Sequence, residues 1–295
     1  MPDEPLCLLS VHAHPDDEAS KGAGTVAKYA AQGVRTVLVC CTGGEAGEIL
    51  NPAMDTDEVR ADLYAVRMRE LERSTSVIGY TNVELLGYRD SGMPDTPFNE
   101  DPACFARADL DEAVGKLVGI IRRTRPQVII TYGDDQQGYP HPDHLRVHDI
   151  TLPAFDAAAD PSKYGGAGDS AEPWQPSKLY YSAWSRARMT AMHEKFLELG
   201  MESPFDDRWF SRPSQDHRIT TKIDVVDFMD VRREALLAHA TQIDPDSPFW
   251  FGLPADVSRT VYPVEDYVRA RSLVPVDDSR IEDDLFAGVR TPVSS

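Results

Sequence analysis

Short runs of apolar residues alternate along the chain with longer segments in which apolar residues recur at helical spacing. The first run, residues 6–11, is followed by a polar turn, a helical pattern over residues 18–32 and a second apolar run at 34–42. Gly33 stands where that helix would end, because glycine readily adopts the left-handed backbone of a helix C-terminus. This order predicts a strand–helix–strand opening.

The same alternation returns further along the chain. Residues 110–123 carry apolar side chains at helical spacing, Arg125-Pro126 would end that helix, and residues 127–132 and 83–86 are typical of buried strands. Helices that alternate with buried strands indicate a parallel sheet covered on both faces. We therefore predict an α/β fold, a mostly parallel sheet with helices on both faces.

A linker-like stretch follows at residues 160–176, which are rich in Pro, Gly, Ser and Ala. The pattern beyond it predicts further elements, namely strands at 178–184 and 219–225 and helices at 186–199 and 227–242, the last capped by Asp227. We interpret the chain as a single domain, 1–295, with a core at 1–159 and a C-terminal α/β extension at 177–295 over the active-site edge. The acidic tail after Val276 is expected to be solvated or loosely docked.

Charge and composition narrow the functions to consider. The 295 residues include 30 Lys plus Arg against 49 Asp plus Glu, a formal charge of −19, which argues against nucleic acid or anionic membrane as a partner. Apolar runs such as 37–41 fall short of the ~20 residues of a membrane helix, and the opening MPDEP lacks the basic region of a signal peptide. We expect a cytoplasmic protein whose cysteines are buried free thiols: Cys7, Cys40, Cys41 and Cys104.

Two clusters of histidine and acid follow predicted strands. Residues 12–18, HAHPDDE, come directly after the first strand, and residues 139–144, YPHPDH, follow the strand at 127–132. The carboxyl ends of parallel strands meet at one edge of a sheet, where open α/β folds bind ligands. Imidazole and carboxylate suit zinc or another first-row divalent metal, and catalytic zinc usually takes three protein ligands. The sequence therefore predicts a metal site at this edge.

Other interpretations of these residues stay open at this point. Polar residues beside proline are also good helix caps and turn residues, although two such clusters at successive strand ends disfavour that explanation. His12 alternates with His14 along the strand and is expected to point to the opposite face. His148 could lie behind the site or on a helix surface. The isolated histidines are expected in core or surface roles: His193, His217 and His239.

Two other protein classes can be weighed against a metal hydrolase. The spacing His14-x-Asp16 with a distant His144 could form the facial triad of an iron oxygenase, but such enzymes generally need a β-sandwich and this chain alternates helices with strands. A dinucleotide-binding module would need G-x-G-x-x-G after the first strand, and none is present there.

The two clusters together resemble the signature of the zinc-dependent N-deacetylases of the LmbE/PIG-L family, which implies a Rossmann-like fold. Further segments resemble its mycothiol S-conjugate amidase branch: SKGA at 20–23, TGGE at 42–45, GEILNPAM at 47–54, DSG at 90–92, GYPHPDH at 138–144, SKLYY at 177–181 and HATQIDP at 239–245. The resemblance covers most of the chain. Residues 96–108 and 203–215 diverge from it, which leaves specificity on the acceptor side open.

This resemblance implies a role for each site residue. The metal ligands would be His14, Asp17 and His144, with zinc or ferrous iron as the metal, while Asp16 stays off the metal as general base. That division agrees with chemistry, because a metal lowers the pKa of bound water toward ~7 and a free carboxylate can then take its proton.

The remaining catalytic roles also follow from the resemblance. His141 and Tyr139 would assist the oxyanion and the departing amine, and Asp143 would orient His141. Substrate contacts would come from four further residues: Lys21, Glu48, Arg67 and Asp90. Lys21 favours the conjugate-cleaving branch, because the related biosynthetic deacetylase has a small polar residue there.

The function so implied is a metal-dependent amidase that splits the N-acetylcysteine–glucosamine amide of mycothiol S-conjugates into a mercapturic acid and glucosaminyl-inositol, in thiol-dependent detoxification. The alternatives are the N-acetylglucosaminyl-inositol deacetylase of mycothiol biosynthesis and an amidase that trims a thiol adduct of a natural product. The expected partner is a small pseudodisaccharide thiol conjugate, with no nucleic acid and no membrane, and assembly as a homo-oligomer stays open.

Overall fold

A seven-stranded sheet forms the centre of the computed structural model, which describes residues 5–134, 139–164 and 172–289. Its strands are β1 (Cys7–His12), β2 (Arg35–Thr42), β3 (Asn82–Tyr88), β4 (Val128–Thr131), β5 (Lys178–Ala183), β6 (Thr221–Asp224) and β7 (Val264–Ser272). They lie in the order β3-β2-β1-β4-β5-β7-β6. The first five pair in parallel, and β7 runs antiparallel to both β5 and β6. The predicted α/β class and mostly parallel sheet are confirmed.

Eleven α-helices are present in the described part of the chain, besides five short 3-10 helices. The α-helices are α1 (Asp17–Ser20), α2 (Ala23–Ala31), α3 (Asp57–Ala61), α4 (Leu63–Ile78), α5 (Leu110–Thr124), α6 (Pro142–Ala157), α7 (Arg186–Glu198), α8 (Asp207–Ser211), α9 (Met229–Ala238), α10 (Pro248–Phe251) and α11 (Ala255–Val261).

The alternation of side chains along the strands explains why helices cover both faces. In β1, Leu9 and Val11 pack in the same apolar cluster as residues of α5 and α6, whereas Leu8 packs with α2 and α9. Successive residues of a strand point to opposite faces, so a strand buried on both sides is continuously apolar. All six residues of β1 are buried.

The strand order places a binding crevice between β1 and β4. The chain winds outward from β1 through β2 to β3 and then returns to the other side of β1 with β4 and β5. Loops that leave the carboxyl ends of β1 and β4 therefore diverge and open a crevice there. The two predicted clusters, which follow β1 and β4, both lie at this crevice.

Residues after 177 extend the same sheet. Strands β5, β7 and β6 form its continuation, and the antiparallel strand β7 was not predicted. Part of the predicted linker, residues 165–171, lies outside the described residues. The division into a core and an extension within one domain stays a prediction.

Two predicted helices differ from the observed ones. The helix expected at 18–32 is two helices, because Gly22 has a φ of 120°, and a side chain there would come within 3.2 Å of the Tyr267 hydroxyl. The helix expected at 227–242 is the shorter α9. Asp227 does not cap it: the cap position is Phe228, which makes no side-chain capping bond.

The end of the described chain is docked, contrary to the expectation for the acidic tail. Leu285 and Phe286 are fully buried, and the Phe286 ring packs 5.2 Å from that of Tyr29. Glu282 pairs with the buried ammonium of Lys178 at 2.7 Å. Acidic composition predicted a solvated or loosely docked end, but the few apolar residues of the segment decide its packing.

The expectation for the cysteines is confirmed, since all four are buried and free of disulfides. Within the described ranges, the structure contains no helix that has both the length and the apolar character needed to cross a membrane.

Candidate metal centre and active-site cavity

Three side chains from the two clusters converge at the crevice. The Asp17 Oδ2 atom lies 3.3 Å from Nδ1 of His14 and 3.5 Å from Nε2 of His144. Ligand bonds of about 2.0–2.2 Å in a tetrahedral zinc site place ligand atoms about 3.3–3.5 Å apart. All three residues are buried. The set therefore has the chemistry and the spacing to hold one divalent metal ion.

The opposite ring nitrogen of His14 faces two carboxylates. Nε2 lies 3.2 Å from Oδ2 of Asp143 and 3.5 Å from Oδ1 of Asp90. Burial opposes protonation of His14, but these acids outweigh it and raise its pKa well above the ordinary range. An environment that attracts a proton to His14 also attracts a metal cation. The carboxylates that face Nε2 orient the ring so that Nδ1 points toward the proposed metal position. His14, Asp90 and His141 form a second group with metal-ligand spacing, which shares His14 with the first.

Asp143 is held by a serine that the sequence analysis quoted only within a motif. The Asp143 carboxylate is fully buried and accepts hydrogen bonds from both the backbone N–H and the hydroxyl of Ser91, the former at 3.0 Å. The bond from Asp143 to His141 is made by its backbone N–H, which donates to Nδ1 of His141 at 3.2 Å. Among the described contacts, the Asp143 carboxylate thus orients His14, whereas the prediction linked Asp143 to His141.

Lys21 lies directly beside the ligand set. Its ammonium donates to Oδ1 of Asp17 and lies 5.6 Å from the centre of the Tyr132 ring. Burial alone would raise the pKa of Asp17, but Lys21 and His144 together hold it well below the ordinary value. The Lys21 ammonium therefore pairs with one carboxylate oxygen of Asp17, while the other oxygen faces His14 and His144.

Asp16, the predicted general base, has an unusual backbone. Its φ is 114°, a backbone conformation that residues other than glycine rarely adopt. Its N–H donates to Oε2 of Glu18 at 2.9 Å, and its Oδ2 accepts from Arg67 at 2.9 Å. Burial raises the pKa of Asp16, and Arg67 opposes this shift. Two fixed partners thus hold a strained residue beside the ligand set.

Glu18 is part of a buried polar network. Its Oε1 accepts hydrogen bonds from Nε2 of His239 at 2.6 Å and from the Ser74 hydroxyl at 2.5 Å. His239 and Glu18 are both fully buried. His239, expected in a core or surface role, therefore supports the backbone of Asp16 through Glu18.

Arg67 is nearly inaccessible, with 2% of its surface exposed. It lines the cavity, and besides Asp16 it donates to the carbonyls of Gly44, at 2.6 Å, and Pro15. Gly44 has a φ of 67°, and a Cβ there would lie 2.3 Å from Nη1 of Arg67. The glycine after β2 is therefore needed for this guanidinium to fit.

His141, which caps α6, and His144, in its first turn, remain uncharged at neutral pH. Burial lowers the pKa of His144 to about 3, and burial together with the charge on His14 lowers that of His141 to about 4. Metal ligation requires the neutral imidazole. The Tyr132 ring stacks on His144 with centres 4.3 Å apart, and Tyr139, 54% exposed, lies 5.5 Å from the same ring.

One cavity of about 790 Å³ joins these residues. Nine of the eleven predicted site residues line it: His14, Asp16, Asp17, Lys21, Arg67, Asp90, Tyr139, His141 and His144. Asp143 is buried behind His14, and the exposed side chain of Glu48 is outside the lining. His12 is also outside it and packs edge-on against Tyr132, with ring centres 5.7 Å apart.

Several known proteins resemble this chain in sequence. A family model described as PIG-L, GlcNAc-PI de-N-acetylase, matches residues 9–155. A mycothiol S-conjugate amidase of Streptomyces coelicolor is 46% identical over 97% of this chain and 98% of its own length. A 1D-myo-inositol 2-acetamido-2-deoxy-alpha-D-glucopyranoside deacetylase of Frankia alni is 43% identical over 95% of this chain and 99% of its own.

Solved structures share the fold. The N,N'-diacetylchitobiose deacetylase from Pyrococcus horikoshii aligns with a TM-score of 0.60 and 18% identity, covering 98% of this chain and 87% of that one. A 4-carboxy-2-hydroxymuconate hydratase from Pseudomonas putida aligns with a TM-score of 0.59 and 17% identity, covering 92% and 99%. The same fold thus carries more than one reaction, and the site residues must decide the chemistry.

Proposed function

Because this chain belongs to the PIG-L family of hydrolases, we propose that it is a zinc-dependent amidase that cleaves the amide between N-acetylcysteine and glucosamine in mycothiol S-conjugates. The products are a mercapturic acid and glucosaminyl-inositol. The observation that carries the proposal is the buried His14–Asp17–His144 set with Asp16 beside it and outside it. The 46% identity to an amidase over almost the whole chain supports the substrate class.

The three ligands suit zinc because two imidazoles, each of which is neutral when it binds a metal, and one carboxylate leave a position for water or substrate. Ferrous iron accepts the same ligands, and availability would then select the metal. Bound at this set, the metal supplies Lewis acidity: it lowers the pKa of water toward ~7 and polarises the amide carbonyl. The other steps fall to side chains of the chain itself.

Asp16 acts as general base and takes the proton of the attacking water. Its Oδ2 is paired with Arg67, so Oδ1 is the oxygen left for the proton. Burial raises the pKa of this carboxyl, which brings a weak base closer to the pH at which it must work. The proton then passes to the amine as it leaves.

His141 and Tyr139 stabilise the developing oxyanion and assist the departing amine. Nδ1 of His141 accepts the Asp143 N–H, so the proton of the neutral ring resides on Nε2, where it can be donated. The low pKa of His141, about 4, keeps this donor neutral. Donors of this kind are worth about 3–4 kcal/mol of barrier.

Substrate contacts are proposed for Lys21, Glu48, Arg67 and Asp90. Lys21 and Asp90 line the cavity beside the ligands, which suits them to bind sugar hydroxyls. Arg67 lines it too, although its guanidinium is largely committed to protein acceptors. Glu48 is exposed next to Gly47 and Leu50, which line the cavity, so its contact would be made at the rim.

The main alternative is deacetylation of N-acetylglucosaminyl-inositol, which needs the same metal chemistry and a smaller acyl group. An amidase acting on a natural-product thiol adduct is the other. The test is mass spectrometry of the products after the zinc-loaded protein has been incubated, in parallel, with a mycothiol S-conjugate and with N-acetylglucosaminyl-inositol. Release of the mercapturic acid is expected. Preferential release of acetate would overturn the proposal in favour of the deacetylase.

A further inference from the structure

The cavity has a second half that the catalytic mechanism does not use. Its walls carry large apolar side chains, Trp184, Met189, Trp209, Phe249 and Trp250, which we call the aromatic lobe. The rings of Trp184 and Phe249 are parallel to within 6°, with centres 5.7 Å apart, and Trp209 also stacks on Phe249 at 5.7 Å. Each of these side chains is only partly buried.

Four separate elements build the aromatic lobe. Trp184 follows β5, Met189 lies in α7, Trp209 in α8, and Phe249 and Trp250 in α10. All belong to the C-terminal extension, whereas the metal-ligand set belongs to the core. Both sets of residues line the same cavity, so one substrate can span them.

The acids on this side of the cavity are neutralised by the protein. The Asp216 carboxylate accepts the backbone N–H groups of Arg186, at 2.7 Å, and Ala187, at 2.9 Å. Asp134 is paired with Arg218 at 2.6 Å. Two arginines also line this side of the cavity: the guanidinium of Arg186 lies 5.9 Å from the Phe210 ring, and that of Arg212 lies 5.1 Å from the Trp209 ring. A ligand group in the aromatic lobe therefore meets stacked rings and acids that are already bonded, which favours a planar aromatic group.

We propose that the aromatic lobe binds the sulfur substituent of the conjugate and selects aromatic thioethers over small alkyl ones. The inference rests on the proposed function, because it assigns the acyl side of that substrate to this part of the cavity. An acetyl group has two carbons and could not fill both halves. The lobe thus gives a physical reason for a large, variable acyl group, and Trp209 and Phe249 become specificity residues.

The kinetic test compares zinc-loaded variants on two mycothiol conjugates, S-(naphthylmethyl) and S-methyl. Trp209→Ala should lower kcat/KM for the naphthylmethyl conjugate about tenfold, because it removes one face of the stack, and should leave the S-methyl value nearly unchanged. Trp209→Phe should retain most of the preference. Trp174→Phe, outside the cavity lining, is the matched control and should change neither value. Equal losses on both substrates in Trp209→Ala would overturn the proposal.

A binding measurement separates this inference from the proposed function. Calorimetric titration of the zinc-loaded protein with S-(naphthylmethyl)-N-acetylcysteine and with S-methyl-N-acetylcysteine needs no turnover. We expect the aryl compound to bind about tenfold more tightly, and Phe249→Leu, which keeps an apolar side chain, to remove most of that difference. If no conjugate is cleaved but the aryl compound still binds more tightly, the proposed function fails, and the proposal that the aromatic lobe binds aromatic groups is retained. Equal affinities of the two compounds for the wild type would refute the proposal that the aromatic lobe selects aromatic substituents.

Discussion

Nε2 of His239 donates a 2.6 Å hydrogen bond to Oε1 of Glu18, across 221 positions of sequence, with both side chains fully buried. Burial opposes charge on the imidazole, but Glu18 outweighs it and raises the pKa of His239. Burial likewise opposes charge on Glu18, and His239 overcomes it to lower that pKa. The other oxygen of Glu18 holds the backbone N–H of Asp16, so this ion pair positions the proposed base.

Replacing His239 by alanine should therefore impair catalysis without removing the metal. The change leaves Glu18 buried without its cationic partner, which should cost about 3 kcal/mol of unfolding free energy. We expect kcat to fall about 10- to 100-fold, as for other groups that orient a site residue from behind. Metal content by mass spectrometry, kcat and denaturant unfolding check this. His217→Ala, an exposed histidine, is the control. Unchanged kcat in a folded His239→Ala protein would contradict the positioning role.

Substitutions of Asp16 and of His144 should affect metal content and activity differently. Asp16→Ala removes the proposed base but no ligand, so the protein should keep its metal and lose about 10²- to 10⁴-fold in kcat. His144→Ala removes a ligand and should lose both metal and activity. Metal analysis after dialysis, paired with turnover assays, distinguishes them. Retained turnover in Asp16→Ala would rule out its assignment as base.

Two glycines with similar backbones provide a matched test of the Arg67 site. Gly44 and Gly33 have φ values of 67° and 79°, but a Cβ at Gly33 meets nothing within 4 Å, whereas one at Gly44 lies 2.3 Å from Arg67. Gly33→Ala should cost about 1–2 kcal/mol from the left-handed backbone alone and leave kcat unchanged. Gly44→Ala should cost more and lower kcat, because it displaces the partner of Asp16. Similar losses of stability in both variants would argue against the clash.

The docked tail predicts a pH-dependent contribution to stability. Glu282 accepts hydrogen bonds from the Lys178 ammonium at 2.7 Å and the Tyr180 hydroxyl at 2.8 Å. Burial alone would raise the pKa of Glu282, but these donors lower it on balance. A carboxyl with a depressed folded pKa stabilises the fold fully above its unfolded value, about 4.3, and this stabilisation is lost as the pH falls through the folded value.

Glu282→Gln should therefore reduce the unfolding free energy by about 3 kcal/mol at pH 7, since it leaves Lys178 buried without its counter-charge. The difference from wild type should shrink as the pH falls below about 4.3. Denaturant titrations between about pH 3 and about pH 7 would measure this difference in unfolding free energy. Glu198→Gln, in an exposed pair with Lys195, should change stability by less than about 0.5 kcal/mol. A difference that is constant with pH would contradict the linkage.

Local pattern predicted some elements better than others. The helix α5 begins at Leu110 as expected, because its apolar spacing and the Asp109 cap are both local signals. The helix expected at 18–32 is broken at Gly22, since Tyr267, from the distant strand β7, packs against that position. Strand β7 itself was not predicted, because its half-buried residues do not form an apolar run.

The sequence by itself determined the fold class and the place of the candidate metal site at one edge of the sheet. Apolar runs of strand length alternate with helical periodicity, and the residues that follow β1 and β4 carry the histidines and acids that parallel pairing must bring to one edge. Local signals and the direction of the strands were enough to predict that the two clusters meet, whereas the division into ligands and base came from the resemblance to the family.

Only the tertiary structure decided what surrounds that centre. Three features join residues that are far apart in sequence and lie on different elements. They are the Glu18–His239 pair, the contact of the Arg67 guanidinium with Gly44, and the aromatic lobe. Such contacts depend on how helices and loops pack in three dimensions, and no periodicity along the chain encodes which side chains will meet.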